Sequence, residues 1–310
     1  MMNRIAHYFY LLKHPRKLVD SVLLKFPNRL SDKQYIECMW RSKMPYRLNL
    51  KEPRSFNEKL QWIKLNDHRP VYTTMVDKYA VKGYVSNIIG DEYIIPTLGV
   101  WDKPEKIEWE ALPNQFVLKC THDSGGLVIC KDKSKLDKQA AIIKLTNSLN
   151  YDYYLAGREW PYKNVPKRII AEEYLEDEHY HELRDYKFFC FKGRVKAMFI
   201  ATDRQNRAEP YFDFYDSDFN YIDMRHGHPN APEHPEKPLT FDLMKELASK
   251  LSKDLIECRV DFYEVNGKPY FGELTLFHHG GWMPFDPIQM DYKFGEWIEL
   301  PQKQEIVCSI

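Results

Sequence analysis

The chain has no CxxC pair, no apolar run of about eighteen residues, no net charge of either sign and no Gly/Ser linker. Each absence removes a class. Its six cysteines stand scattered at positions 38, 120, 130, 190, 258 and 308 of 310 residues, so a small disulfide scaffold is excluded and reduced thiols in the cytoplasm are expected. Lys plus Arg equal Asp plus Glu at 45 each, which gives no electrostatic reason to expect a nucleic-acid partner. Any phosphate recognition has to be local. The apolar patch from Tyr8 to Leu12 is cut off by Lys13, so neither a membrane span nor a signal peptide is expected. GxxxxGK[ST] is missing, and with it the P-loop. Neither HxxxH nor HExxH follows His278-His279; adjacent histidines are expected to point different ways, and no zinc site is expected there. His226-Gly227-His228, in a proline-rich segment, reads as a surface loop. No Ser/His/Asp or Cys/His constellation suggests an enzyme nucleophile.

What is present has the texture of an α+β protein. Ser55-Phe56-Asn57-Glu58 is a helix cap with a carboxylate three positions on, and a second helix is expected from about Met75 to Gly90. Strands are expected at Gln115–Lys119, Leu127–Cys130 and Arg168–Leu175, with a helix at Lys138–Leu149 between the last two. Tyr186–Phe191, Val195–Ala201 and Tyr211–Tyr215 read as a meander, followed by a helix at Phe241–Leu251. Between His7 and Leu30, aromatic and leucine residues alternate with Lys13, Arg16, Lys17, Lys25 and Arg29. That segment reads as amphipathic helices packed on the body, with contact to the inner face of an anionic membrane as the second reading.

The densest chemistry lies between Cys258 and Leu276. Asn266-Gly267 between β-rich runs signals a hairpin, in which Arg259 and Asp261 share a face and Glu273 and Thr275 share a face. Two close carboxylates repel unless a cation separates them, and hard oxygens suit Mg²⁺. A two-residue turn in a regular hairpin sets Asp261 opposite Gly272, whereas a three-residue loop brings the carboxylates together; the metal reading therefore requires an odd loop. A cross-strand Arg–Glu pair on a wet face is the equal alternative. Upstream, Lys119 precedes His122-Asp123-Ser124-Gly125-Gly126, a loop whose amides can approach phosphate, though such a loop is more often a plain turn. Glu172-Glu173-Tyr174-Leu175 ends a strand where an adenine edge or solvent would fit equally.

In order, these segments resemble ATP-grasp ligases, and in detail the TupA-like branch associated with bacterial surface-polysaccharide gene clusters. The resemblance is carried by Ser55 to Trp62, Asp77-Lys78-Tyr79, Gly90 to Pro96, the Lys119 strand, Asp185-Tyr186-Lys187-Phe188-Phe189 and the hairpin. It implies an ATP-grasp fold with antiparallel sheets, divided into a helical N-terminal region (1–105), a glycine-loop lid (106–172) and a catalytic subdomain (173–310). It also implies that Lys78, Lys119, Ser124, Gly125 and Gly126 contact the phosphates of ATP. Glu172, Glu173 and Leu175 would hold adenine and Glu178 the ribose. Lys187, Arg204 and Arg259 would be catalytic cations, and Asp261, Glu273 and Thr275 the Mg²⁺ ligands. Thr275 replaces the asparagine usual at that position. Arg158, His278 and His279 are the substrate candidates. The activity implied is an ATP-dependent amide-forming ligase joining a small carboxylate, such as a uronic acid, to an amine or amino acid. The alternatives are a kinase acting on a sugar hydroxyl, a glycosyltransferase, or a non-catalytic nucleotide-binding protein.

Overall fold

The computed structural model describes residues 22, 23, 25–204 and 209–301. Its N-terminal half is built from helices that begin on strong caps. Helix α1 (Asp32–Lys43) starts at Ser31 and α2 (Phe56–Asn66) at Ser55, and in each the serine and the side chain three residues on cap one another reciprocally. The helix expected from Met75 to Gly90 is broken into α3 (Val71–Val76) and α4 (Ala80–Ile89). Asp77 breaks it, because its carboxylate accepts from the backbone N–H groups of Tyr79 (2.9 Å) and Ala80 (3.2 Å) and so starts a new helix. The break frees the backbone N–H of Lys78 to donate to Thr121 (3.1 Å), which fixes that lysine beside the glycine loop.

Strands β1 (Thr97–Trp101), β2 (Phe116–Cys120), β3 (Leu127–Cys130) and β4 (Ile169–Glu173) form an antiparallel sheet in the order β1-β4-β2-β3. Thus the sheet takes in a strand ahead of residue 106. Helix α5 (Lys138–Leu149) covers one face, with Phe116, Leu118 and Cys120 of β2 and Leu145 of α5 in a small separate core. Because side chains alternate along a strand, Val117 and Lys119 face the other way. Short helix α6 (Tyr153–Gly157) leads from α5 toward β4.

The larger sheet comprises β5 (Asp185–Phe191), β6 (Arg194–Thr202), β7 (Tyr211–Asp216) and β8 (Tyr221–Ile222), a meander. After β9 (Arg225–His226) and helix α7 (Phe241–Leu251), the hairpin β10 (Cys258–Val265) and β11 (Lys268–Thr275) joins it on the β5 side, giving the order β11-β10-β5-β6-β7-β8. Strand β12 (Phe285–Asp286) pairs with β9, and α8 (Gln289–Glu296) follows. Both faces of β5 are buried. Phe188 packs on Phe241 of α7, while Phe189 packs on Phe56 of α2 and Phe294 of α8. The face of Phe189 is also that of Asp185 and Lys187.

The hairpin corrects the expectation of an odd loop. Val265 pairs with Lys268, so the turn is only Asn266-Gly267, with φ of 52° and 73°, both left-handed as the favoured two-residue turn demands. Register is shifted further along: Phe262 opposes Phe271, yet Asp261 opposes Glu273. The extra residue is Gly272, a β-bulge where a Cβ would meet the Asp261 carbonyl oxygen at 3.2 Å. The bulge does what an odd loop would have done.

His226 is no surface loop; it is a fully buried residue of β9. Cys38, Cys120, Cys130, Cys190 and Cys258 are buried and none of these five forms a disulfide, and Cys308 lies outside the described residues. Among the described residues no helix is long and apolar enough to cross a membrane. Most of the His7–Leu30 segment lies outside the described residues.

Candidate active site

A cavity of about 310 Å³ opens between the four-stranded sheet and the β10–β11 hairpin. Its apolar walls include Val81, Ile95, Ile129, Leu175 and Phe271, and its polar groups include Lys78, Lys82, Lys119, Ser124, Glu172 and Glu273. Lys119 reaches it because of the β2 alternation. Lys78 reaches it because of the helix break, and its ammonium donates to the Asp123 carbonyl. In the glycine loop, Asp123 accepts from Gly126 N–H (3.1 Å) and from the Ser148 hydroxyl, which ties the loop to α5. A Cβ at Gly126 would lie 2.3 Å from Ser148 Oγ and 2.6 Å from Cys120 Sγ, so that position is closed to any larger residue. Gly125 is exposed on the same loop.

Glu172 points into the cavity between two ammonium groups, those of Lys119 (2.5 Å) and Lys82. Burial opposes its ionisation, but the two lysine charges prevail and hold the carboxyl below its usual range. Burial likewise works to discharge Lys119, yet Glu172 with Tyr263 and Glu273 holds it above the usual lysine value. Lys82, for which burial outweighs Glu172, is pushed down. The Glu172 side chain is therefore the counter-ion of two lysines. Lys82 was not anticipated, although it follows Lys78 by four residues, a spacing that in the continuous helix expected from the sequence puts two side chains on one face.

At the other end of the cavity the hairpin delivers its carboxylates. Lys187 on β5 opposes Asp261 on β10, which opposes Glu273 on β11, so three strands place them in a row. Lys187 donates to Asp261 at 2.5 Å, and the Arg259 fork grips both Asp261 oxygens at 2.6 Å. Arg259 Nη2 also reaches Glu273 (3.0 Å) and Thr275 (2.9 Å). Asp261 is buried, whereas the Glu273 side chain is 41% exposed and turned to the cavity. Burial tends to raise its pKa, but Lys187, Arg259 and Lys78 hold it far below the carboxylate range. Arg204 lines the cavity and pairs with buried Asp185, a residue the sequence reading named only within a motif.

Not every candidate comes to this place. Arg158 is buried elsewhere, stacked on Tyr35 and Tyr154 (4.5 and 5.2 Å) and donating to the carbonyls of Pro27 and Leu30. It ties α6 to the N-terminal helices and is not in the cleft. Glu178 is exposed beside the hairpin turn, its N–H bonded to Asn266 (3.1 Å), and does not line the cavity, whereas Glu173 and Leu175 do. His278 accepts from Arg259 Nη1 on its Nδ1 at 2.5 Å. His279 lies with it, the two rings 4.2 Å apart, instead of pointing away. The cause is a left-handed backbone at His279 (φ 49°), which undoes the alternation of an extended chain.

A family model described as TupA-like ATPgrasp matches residues 58–299. No curated protein sequence matches the chain. Among solved structures, the chain is similar to a D-alanine–D-alanine ligase from Helicobacter pylori (13% identity, 79% of this chain and 69% of that one, TM-score 0.43). It is similar to the D-alanine–D-alanine ligase from Bacillus anthracis complexed with ATP (14%, 73% and 63%, TM-score 0.42). It is also similar to an L-amino acid ligase from Bacillus licheniformis (15%, 73% and 49%, TM-score 0.42). It thus spans between about half and about two thirds of those chains.

Proposed function

The chain belongs to the TupA-like ATP-grasp family, and on that premise we propose that it is an ATP-dependent carboxylate–amine ligase that uses Mg²⁺. The observation that carries this reading is the Asp261–Glu273 pair, set opposite each other by the Gly272 bulge, with Glu273 lining a cavity that Lys78, Lys82, Lys119 and the glycine loop also line.

The residues fit both groups. Asp261, Glu273 and the Thr275 hydroxyl are hard oxygens on one strand pair, suited to Mg²⁺, and Glu273 is open to the cavity. The apolar slot would take a purine, with the backbone of Glu173 and Leu175 available to its edge. ATP, when bound, would supply the γ-phosphoryl group to a carboxylate, giving an acylphosphate and ADP, and an amine would then displace phosphate to form the amide. Lys78, Lys82 and Lys119 would hold phosphate oxygens, and the loop amides of Ser124 and Gly125 would cover them, the Gly126 N–H being taken by Asp123. Lys187, Arg204 and Arg259 are fixed beforehand by Asp185 and Asp261, so neutralising developing charge costs little reorganisation. Catalysis of this kind is positioning and charge neutralisation, with no protein nucleophile.

Following the resemblance to the TupA-like branch, the carboxylate is assigned to a uronic acid of a surface-glycan precursor and the amine to an amino acid. The test is ADP release by purified protein with Mg-ATP and a panel of uronic acids and amino acids, singly and in pairs, with hydroxylamine present in parallel. A hydroxamate from the carboxylate alone, and an amide from the pair, supports the ligase. Phosphorylated product with neither identifies a kinase, and ATP hydrolysis unaffected by any acid or amine refutes the proposal.

A further inference from the structure

Three imidazoles that the carboxylate site does not use converge beside it. Donor nitrogens of His226, His278 and His279 all lie within 4.8 Å of one another. His226 donates from Nε2 to the Met283 carbonyl (2.9 Å), which leaves Nδ1 as a lone pair, buried and without a partner. His279 Nε2 is also buried without a partner. The third buried nitrogen without a partner is His278 Nε2, which carries the ring's proton while Nδ1 accepts from Arg259. Burial is the main reason that all three rings stay neutral, with the charge of Arg259 acting in the same direction. Three buried nitrogens without partners, on rings whose ligand atoms cluster this closely, are rare in a native fold and call for an explanation. His226 and His278 are 0% and 1% exposed, so anything these rings hold has to be small.

We propose that His226, His278 and His279 form a binding site for a divalent transition-metal ion of the zinc class, separate from the oxygen ligands Asp261 and Glu273. Neutral imidazoles suit zinc, cobalt and nickel, whereas Mg²⁺ takes oxygens, so the two neighbouring sites select different ions. Metal–nitrogen bonds of about 2.0–2.1 Å place tetrahedral ligand nitrogens roughly 3.4 Å apart, so the rings close modestly on the ion. The carbonyl that takes the other N–H of His226 is the usual outer partner of a metal-bound histidine, fixing its tautomer. Two adjacent residues can both ligate here because of the left-handed backbone at His279.

Arg259 enters the balance. While His278 Nδ1 accepts from Arg259, its proton is on Nε2; ligation through Nε2 moves that proton to Nδ1, against an arginine donor. No proton is released, but the ion and the Arg259–His278 hydrogen bond exclude each other. Arg259 keeps Asp261 and Glu273 through Nε and Nη2. The histidine site is thereby wired to the arginine that faces the proposed reaction.

The test uses the full chain, stripped with a chelator and titrated with Co²⁺, then Zn²⁺, with metal content after dialysis and the visible spectrum of bound Co²⁺ as readouts. The expected result is one equivalent per chain with an intense, low-coordinate, nitrogen-ligand spectrum. It should be retained in Asp261→Asn/Glu273→Gln and weakened at least tenfold in His279→Asn and in His226→Asn. Wild-type protein that retains neither ion, a weak oxygen-ligand spectrum, loss of the ion in the carboxylate variant, or unchanged binding in both histidine variants would each overturn the proposal. Circular dichroism of each variant separates loss of ligand from loss of fold. Where a histidine variant is unfolded, the wild-type spectrum and the carboxylate variant decide. Neither readout depends on nucleotide, so failure here leaves the ligase reading untouched, and the reverse holds too.

Discussion

Replacing Glu172 with glutamine tests how the lysine end of the cavity is held. In the structure the Lys82, Lys119 and Glu172 side chains are 13%, 19% and 6% exposed, so two ammonium groups share one carboxylate largely away from water. Glutamine keeps the volume and removes the charge. Breaking a buried ion pair by deleting one partner costs roughly 3–5 kcal/mol, because the other charge is left uncompensated. The partial exposure of the lysines argues for the lower end, about 3 kcal/mol. For a chain of this size that lowers Tm by roughly 4–6 °C, read by calorimetry, with urea unfolding giving the free-energy loss, both without nucleotide. The double variant Lys82→Met/Glu172→Gln removes one of the stranded charges and should recover about 1–2 kcal/mol, a coupling that only neighbouring groups show. Tripolyphosphate or ATP should also raise the Tm of Glu172→Gln more than that of wild type, because the anion supplies the missing negative charge. A variant within about 0.5 kcal/mol of wild type, the range of an ordinary surface change, would refute the claim that Glu172 is the lysine counter-ion. So would a double variant no more stable than the single.

Gly272→Ala puts a Cβ at 3.2 Å from the Asp261 carbonyl and 3.3 Å from the Tyr263 ring. It should cost about 1–2 kcal/mol, as overpacking does, and lower kcat by a larger factor than stability alone explains; equal kcat would show that the bulge does not set the carboxylates. Asp261→Asn combined with Glu273→Gln should cut Mg²⁺-dependent ADP formation by at least about 10²-fold, the scale of losing one preorganised charge contact, and intact turnover would remove the metal assignment. Arg158→Ala should lower Tm by several degrees, since it loses two aromatic stacks and two carbonyl bonds, while KM values stay put; a selective rise in a substrate KM would return Arg158 to the cleft.

Much of the scaffold was legible because its signals are local. The Ser55 cap, the alternation that turns Lys119 away from the Phe116–Leu118 core, and the Lys138–Leu149 helix each depend on residues within one or two turns of the chain. What escaped was set by single backbone angles or by distant pairing. Asp77 reads as one more residue of a helix until its carboxylate is seen to cap the next one. Lys82 gains its meaning only when α4 meets β4, whose Glu172 is far away in sequence.

The hairpin and the histidines failed for one shared reason. Alternation reasoning assumes an unbroken extended chain, and in both places one residue breaks it. At Gly272 the bulge adds a residue to one strand, so parity counted from the Asn266-Gly267 turn gives the wrong partner for Asp261. At His279 the left-handed backbone turns two neighbours to the same side, where counting separates them. Both irregularities lie within a few residues of Arg259's partners: Gly272 precedes Glu273, and His279 follows His278. Bulges and strained backbone are retained where they aim side chains that regular structure would misdirect. On that logic the two departures support the proposed role of the region around Arg259 by an argument that does not use any resemblance.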